Sequence, residues 1–330
     1  MKPARGVVIG KFLPPHHGHE LLIQTGLAGC RHLTVFVCER PEDPIPGPVR
    51  AGWLRALFPE ADVRVIDDRY DAQDSRVWAE NTIRWLPGRP DVVFTSEAYG
   101  EPYAACLGCR HQSVDPARAR VPVSGTAVRA DPYVQWVFIR PPVRGWYAKR
   151  VCVLGAESTG TTTLAQALGA ALCTAWVAEY GREYSEAKQQ RGEQAWCSEE
   201  FTRIAEEQNR REDEAATRAD RVLICDTNSF ATRLWHRRYM GHESEAVARV
   251  AARARCDLYL LTGDEIPFVQ DGLRDGEHLR HDMHQWFVTA LAGQSVPWQV
   301  LRGSHAHRLQ AARTAIAELF AASAWKPRAD

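Results

Sequence analysis

The feature that most constrains this chain is a rhythm. Short β-branched apolar runs alternate with longer amphipathic stretches, in two series separated by one break. The first series has strand-like runs at residues 6–10, 33–38, 63–66 and 91–95, with helical stretches between them, notably 18–28 and 74–86. The second has runs at 150–154, 221–225, 258–261 and 298–301, a long charged helix at 198–219 and a terminal helix at 305–322. Alternation of this kind predicts an α/β protein with parallel sheets. The break is Ile139-Arg140-Pro141-Pro142-Val143-Arg144-Gly145, where two prolines and a glycine argue against a continuing helix. It predicts two domains, 1–144 and 145–330, a division that 330 residues accommodate. No internal repeat or low-complexity tract is visible.

Composition removes several classes. The 41 basic and 41 acidic side chains cancel, which argues against a duplex-binding surface and leaves no nucleic-acid partner in view. The halves differ: residues 1–150 carry 20 basic and 16 acidic side chains, and residues 151–330 carry 21 and 25. Nine cysteines, an odd number without a secretory signal, read as reduced thiols of a cytoplasmic protein. The first apolar run, Val7-Val8-Ile9, is too short for a membrane span, so no membrane partner is expected. Only five bases are lysine (Lys2, Lys11, Lys149, Lys188 and Lys326), so a lysine inside a motif, or absent from one, carries information.

Directly after the first predicted strand comes Gly10-Lys11-Phe12-Leu13-Pro14-Pro15-His16-His17-Gly18-His19. The prolines hold an extended loop, and Gly18 lets the backbone pass close to a ligand as a helix begins. His16 and His19, three apart at that helix start, project to one side, where free N–H groups and the helix dipole favour an anion. Imidazoles there donate to phosphate oxygens, and Lys11 adds a point charge. A second piece is Val123-Ser124-Gly125-Thr126-Ala127-Val128-Arg129, in which Ser124 or Thr126 caps a short helix and Arg129 reaches a phosphate.

The second series opens in the same way. After residues 150–154 comes Gly155-Ala156-Glu157-Ser158-Thr159-Gly160-Thr161-Thr162-Thr163, with the spacing of a Walker A loop between a strand and a helix. Its backbone N–H groups are expected to cradle phosphates, with Thr162 offering its hydroxyl to Mg²⁺. The lysine position holds Thr161, so the charge normally supplied to the β- and γ-phosphates is absent. Asp226 closes the run 221–225, a position suited to holding Mg²⁺ or its water, or to accepting a substrate hydroxyl proton.

The first loop and the Ser-Gly-Thr-Ala-Val-Arg segment resemble the HxGH-type nucleotidyltransferase superfamily. Within it, Thr95-Ser96-Glu97-Ala98-Tyr99-Gly100 and residues 121–129 are similar to the NadR-type nicotinamide mononucleotide adenylyltransferases. The resemblance implies a Rossmann-like domain that transfers AMP from ATP to nicotinamide mononucleotide, giving NAD and pyrophosphate with Mg²⁺. The nucleophile is a phosphate already ionised, so alignment and charge neutralisation by His16, His19, Lys11 and Arg129 are what the chemistry needs. Nicotinamide is expected to stack on an aromatic ring, with Trp53, Trp78 and Trp85 as candidates. The second half resembles the ribosylnicotinamide kinase domain of the same family at residues 176–184, at Cys225-Asp226-Thr227-Asn228 and at Asp271-Gly272-Leu273-Arg274. That likeness implies a P-loop kinase-like domain with Glu179 and Arg182 near the nucleoside, and with Arg274 and Arg280 in a lid over the phosphates. The implied reaction moves the ATP γ-phosphoryl group to nicotinamide riboside, and the product feeds the first domain.

Alternatives accompany this reading. Without the loop lysine, the second domain is also compatible with a weak or binding-only, nucleotide-sensing role. The first is compatible with nicotinic acid mononucleotide, and less so with phosphopantetheine. Some relatives add a helix-turn-helix repressor domain; with five residues ahead of the first strand, none is expected here, which makes a regulator the minor option. A homo-oligomer is compatible with the sequence. Cys106 and Cys109 form a lone CxxC, without the further ligands that zinc needs. His278, His281 and His284 read as solvent-facing, and the mixed charges of 199–218 read as a solvated helix face.

Overall fold

The structure, a computed structural model, describes residues 2–71, 74–270 and 276–327. It divides into two compact units, Met1–Val143 and Arg144–Asp330. Among the described residues, no helix is long and apolar enough to cross a membrane.

The first unit is built on a five-stranded parallel sheet: β1 (Arg5–Gly10), β2 (His32–Glu39), β3 (Asp62–Asp67), β4 (Val92–Thr95) and β5 (Arg110–Ser113), in the order β3-β2-β1-β4-β5. A central parallel strand is covered on both faces, which is why β1 reads as an unbroken apolar run. Val8 packs with Val35, Leu54 and Phe94 on one face, and Val7 and Ile9 with Phe36, Val93 and Tyr103 on the other. The chain leaves β1 toward β2 on one side and returns to β4 on the other. The crevice beyond the carboxyl ends of β1 and β4 is therefore the switch point where α/β sheets bind ligands.

The second unit repeats this plan with β6 (Lys149–Leu154), β7 (Trp176–Val177), β8 (Val222–Asp226), β9 (Leu258–Thr262) and β10 (Trp298–Leu301), all parallel, in the order β10-β9-β6-β8-β7. The central strands β6, β8 and β9 are the apolar runs of the sequence. Two strands escape the pattern, and both lie at sheet edges. β5 is Arg-His-Gln-Ser and β7 has two residues, because an edge strand covered less completely needs no apolar run. The expected break at 139–145 is corrected: Pro141–Tyr147 forms a short helix. Its two prolines occupy the first turn, where the missing N–H groups have no intrahelical partner to lose.

One buried cation holds the first unit's strand ends in place. Arg50, on the helix Gly47–Leu57, is fully buried. It donates to the carbonyls of Ile45 (2.8 Å), Cys38 (2.9 Å) and Lys11, and to the Asp43 carboxylate (2.7 Å). It thereby joins the end of β2 to the loop after β1. We predict that Arg50→Ala, which strands the Asp43 carboxylate and several carbonyls, costs about 3–5 kcal/mol. Urea denaturation checks this, and a loss below about 1 kcal/mol would contradict it.

Two candidate phosphate sites

In the first unit the chain leaves β1 at Gly10 and passes Phe12 in the left-handed region (φ 48°). A bulky residue is strained there. Burial of the ring compensates, with an edge-to-face contact to His19 at 4.9 Å. His16 caps the helix His17–Gly29, its Nδ1 accepting from the Gly18 N–H at 3.1 Å. A Cβ at position 18 would lie 2.9 Å from the His16 ring, so the cap requires glycine. The two imidazoles stack at 3.8 Å. Burial, aided by Arg118 and His17, lowers His16 to about 4, and burial likewise takes His19 well below its usual value, with His16 and Arg118 adding. Both rings are neutral at pH 7, so they bring hydrogen bonds rather than charge. Because His16 Nδ1 accepts, its proton sits on Nε2, available to a ligand.

The Ser124 segment completes this cradle. Ser124 Oγ accepts from the Ala127 N–H (3.1 Å), so Ser124 rather than Thr126 is the cap of the helix Gly125–Ala130. Arg129 donates to the Leu13 carbonyl, and its Nη2 donates to Thr126 Oγ1 (3.3 Å). A Cβ on Gly125 would approach that same Leu13 oxygen to 2.8 Å, so the two segments meet backbone to backbone. Lys11 is half exposed, and its Nζ is 3.6 Å from the Asp68 carboxylate, which also holds Arg40 at 3.0 Å. A cavity of about 470 Å³ lies over this cradle, lined by all nine residues expected from the sequence: Gly10, Lys11, Phe12, His16, Gly18, His19, Ser124, Thr126 and Arg129. Of the three tryptophans, Trp78 lines it; Trp85 packs on Phe36 at 5.5 Å, and Trp53 is not among the lining residues. Tyr99, from the segment 95–100 singled out above, also lines the cavity, as does Arg118, which belongs to no spacing that marks a phosphate loop.

The second cradle joins β6 to the helix Thr161–Ala171. The loop turns through Ser158 (φ 56°) and Gly160 (φ 83°). Thr159 is buried beneath it, its Oγ1 bonded to the Ala156 carbonyl and to Thr262 Oγ1, both at 2.7 Å. Thr162 Oγ1 donates to Asp226 Oδ2 at 2.5 Å. Asp226 Oδ1 is buried with no hydrogen-bond partner among the described residues. A hydroxyl and an unsatisfied carboxylate oxygen side by side are the hard donors that Mg²⁺ takes, so Thr162 and Asp226 fit that ion. Burial raises the Asp226 carboxyl and pushes Glu179 up to about 8, with Asp226 and Glu157 adding and Arg182 opposing.

A cavity of about 300 Å³ is lined by Gly155, Glu157, Ser158, Thr161, Thr162, Glu179 and Arg182. Not every expected contact is available for phosphate. Glu157 is ion-paired with Arg238 and accepts from the Gly276 N–H at 2.9 Å. Thr163 is exposed and outside the lining. Arg182 Nε donates to Glu186 at 3.0 Å. Arg274, with Asp271-Gly272-Leu273 before it, lies outside the described residues. The far wall was not foreseen. Trp196 meets Tyr239 at 5.4 Å and Phe201 at 5.0 Å, and Lys188 sits 5.0 Å from the Trp196 ring while donating to Glu200 at 2.7 Å. These aromatic residues come from separate helices and the loop before one of them, so no local spacing announces them.

Two lesser expectations are corrected. His281 is exposed and pairs with Asp264 (2.8 Å), but His284 is buried, because the helix Arg280–Ala292 turns that face inward with Met283 and Phe287. The helix Ser198–Ala216 is not solvated all round. Glu200, Gln208 and Glu212 are buried on its inner face, and burial pushes Glu212 up to about 7. Cys106 and Cys109 are free, and among the described residues no three His, Cys, Asp or Glu gather to hold a metal.

Fold and sites together define a two-unit α/β protein in which each unit places a strand–loop–helix cradle at the carboxyl end of a parallel sheet. Residues 150–308 match the AAA domain family. The chain is similar to the trifunctional NAD biosynthesis/regulator protein NadR of Escherichia coli (strain K12), with 29% identity over 295 residues covering 83% of this chain and 72% of the relative. The same protein of Salmonella typhimurium (strain LT2) is 28% identical over 292 residues, covering 82% and 71%. Among solved structures, NadR protein in complex with NR superposes with a TM-score of 0.82 at 21% identity, covering 100% of this chain and 99% of that one. NadR protein in complex with NAD and AMP-PNP gives 0.75 at 20% identity, covering 99% and 98%. These likenesses establish the two-unit fold.

The stacked histidines yield a prediction. His16 binds its proton more weakly folded than unfolded, so its contribution to stability is present above about pH 6.5 and is lost as pH falls toward 4. His16→Asn keeps a capping oxygen but removes the titration. The variant is expected to lose roughly 2–4 kcal/mol less than the natural protein between pH 7 and 4. Denaturation at the two pH values measures this; equal acid slopes would refute the assignment.

Proposed function

We propose that this chain is a cytoplasmic enzyme of NAD synthesis whose two units perform consecutive nucleotide reactions on small-molecule substrates. The supporting observation is the first cradle, where two neutral histidines and a docked arginine meet over a cavity of nucleotide size at the switch point. The similarity to NadR proteins, including solved ones with NR and with NAD and AMP-PNP, supports the choice of substrates.

In the first unit, a phosphate oxygen of nicotinamide mononucleotide attacks the α-phosphorus of ATP. The bond to the bridging oxygen breaks, pyrophosphate leaves, and NAD forms. No proton need be removed from the nucleophile. His16 and His19 donate to the phosphate oxygens through uncharged N–H groups, while Arg129 and Lys11 supply charge where negative charge gathers. Trp78 offers the aromatic face for nicotinamide.

In the second unit, the 5′-hydroxyl of nicotinamide riboside attacks the γ-phosphorus of ATP, the bond to the β–γ bridging oxygen breaks, ADP leaves, and the hydroxyl proton passes to the carboxylate of Asp226 or of Glu179, which lines the cavity. Thr162 and Asp226 would hold Mg²⁺, which, when bound, offsets charge on the phosphates. The riboside's pyridinium ring is cationic, and the Trp196–Tyr239 wall suits it through cation–π attraction. A second reading is favoured by Thr161: a unit that binds ATP and senses it without rapid transfer.

Supplied with ATP, Mg²⁺ and nicotinamide mononucleotide, the protein is expected to yield NAD and pyrophosphate, and a folded sample that yields neither would sink the first reaction. Arg129→Ala and His19→Ala should each lower that turnover by about 10²-fold or more. With ATP and the riboside alone, appearance of NAD reports both reactions. Its absence, with the mononucleotide still consumed, selects the sensing reading, and Thr161→Lys is then the variant expected to restore transfer.

A further inference from the structure

Glu212 stands apart among the buried acids of the second unit. It lies on the inner face of the helix Ser198–Ala216, is fully buried, and is not among the residues lining the second cavity. Among the described residues it forms no ion pair, because the neighbouring Arg150 of β6 gives its Nη2 to Asp213 at 2.6 Å. A well-packed apolar side chain in such a place is often as stable or more so. What Glu212 does is accept a hydrogen bond from Gln208 Nε2 at 3.0 Å.

Gln208 lies one turn earlier on the same helix, is 1% exposed, and does line the cavity. Its Oε1 accepts from the Tyr180 N–H at 2.9 Å. Tyr180 is the first residue of the helix Tyr180–Gln190, and the Glu179 side chain before it makes no cap. An N-cap side chain serves the second or third N–H of a helix, so the first needs an acceptor from elsewhere. Gln208 supplies that acceptor, and the Glu179 carboxyl, not spent on a cap, lines the cavity with Gly181 and Arg182. On its other side the same turn is held by Arg211, whose guanidinium lies 4.3 Å from the Tyr180 ring and 2.6 Å from Glu183.

The direction of the Gln208 amide decides whether this works. Turned over, it would set its NH₂ group against the Tyr180 N–H, donor against donor. An ionised carboxylate accepts and cannot donate, so Glu212 holds only the nitrogen end of the amide and leaves the oxygen for Tyr180.

We propose that Glu212 is a positioning residue for the second cavity: by fixing the Gln208 amide it seats the first turn of the helix Tyr180–Gln190, and with it Glu179 and Arg182. The ligand that feels this seating rests on reading the second cavity as a riboside site, whereas the seating itself does not.

The test uses the full chain at pH 8, where the Glu212 carboxyl, pushed up to about 7 by burial, is ionised. Two quantities are read: hydrogen exchange of the segment 180–186 without ligand, and the half-saturating concentration of nicotinamide riboside by calorimetry. Glu212→Met, of similar size but without the acceptor, is expected to lose protection in that segment and to raise half-saturation about fivefold or more. Glu212→Gln keeps an oxygen for Gln208 and should stay within a few-fold of the natural protein. In the exchanged pair, Gln208→Glu with Glu212→Gln, the acceptor-only group faces Tyr180 directly, and both readings should again be close to natural. Unchanged protection or unchanged riboside affinity in Glu212→Met would overturn the proposal, as would an equal loss in Glu212→Gln. If the natural protein binds no riboside, the riboside reading falls, and the exchange comparison alone decides the positioning. Should Glu212→Met also lose protection of β8, the exchanged pair decides: natural-like readings support the proposal and weak ones overturn it.

Discussion

Every strand in both units runs parallel to its neighbours, and the rest of the arrangement depends on that constraint. A parallel sheet needs crossover connections, the crossovers are helices, and each helix that follows a strand presents unpaired N–H groups above the sheet's carboxyl edge. A loop that leaves the central strand and enters such a helix is thereby aimed at an anion. Both cradles occupy this position, after β1 and after β6, the middle strand of each sheet. What remains for side chains is to close the loop tightly and to supply charge.

The two cradles meet those demands differently. In the first, the loop is closed by contact with a distant segment: Gly125 and Arg129 both approach the Leu13 carbonyl across more than a hundred residues. The histidines are desolvated to neutrality, so they can sit 3.8 Å apart without repelling one another. In the second, closure is internal. The Thr159 hydroxyl bonds backward to Ala156 and sideways to Thr262, occupying the space that a side chain at Gly155 would need. Charge is then the scarce quantity, because carboxylates outnumber free cations at that cavity.

Legibility in the sequence follows from these differences. Local patterns carried the central strands and both loops, since a buried parallel strand is a continuous apolar run and a phosphate loop has fixed spacing. The nine lining residues of the first cradle were readable for that reason. The edges β5 and β7 were not, because little covers them. Nor were Trp196 and Tyr239, which reach the second cavity from elements far apart in the chain. The missing lysine at 161 is plain in the sequence, because the loop's spacing fixes the position where it would stand.

Buried polar atoms without partners bear on the same question. A folded chain satisfies nearly all of them, because each one left bare costs free energy comparable to a lost hydrogen bond. His19 Nδ1 in the first cradle, and Asp226 Oδ1 and Arg280 Nε at the second, are such atoms. They differ in kind: an imidazole nitrogen, a carboxylate oxygen and a guanidinium N–H. Asp226 lies on β8 and Arg280 opens a helix beyond β9, so the two do not satisfy one another. A cation at one and a phosphate oxygen at the other would satisfy both. A magnesium-bound polyphosphate carries the two in a single ligand.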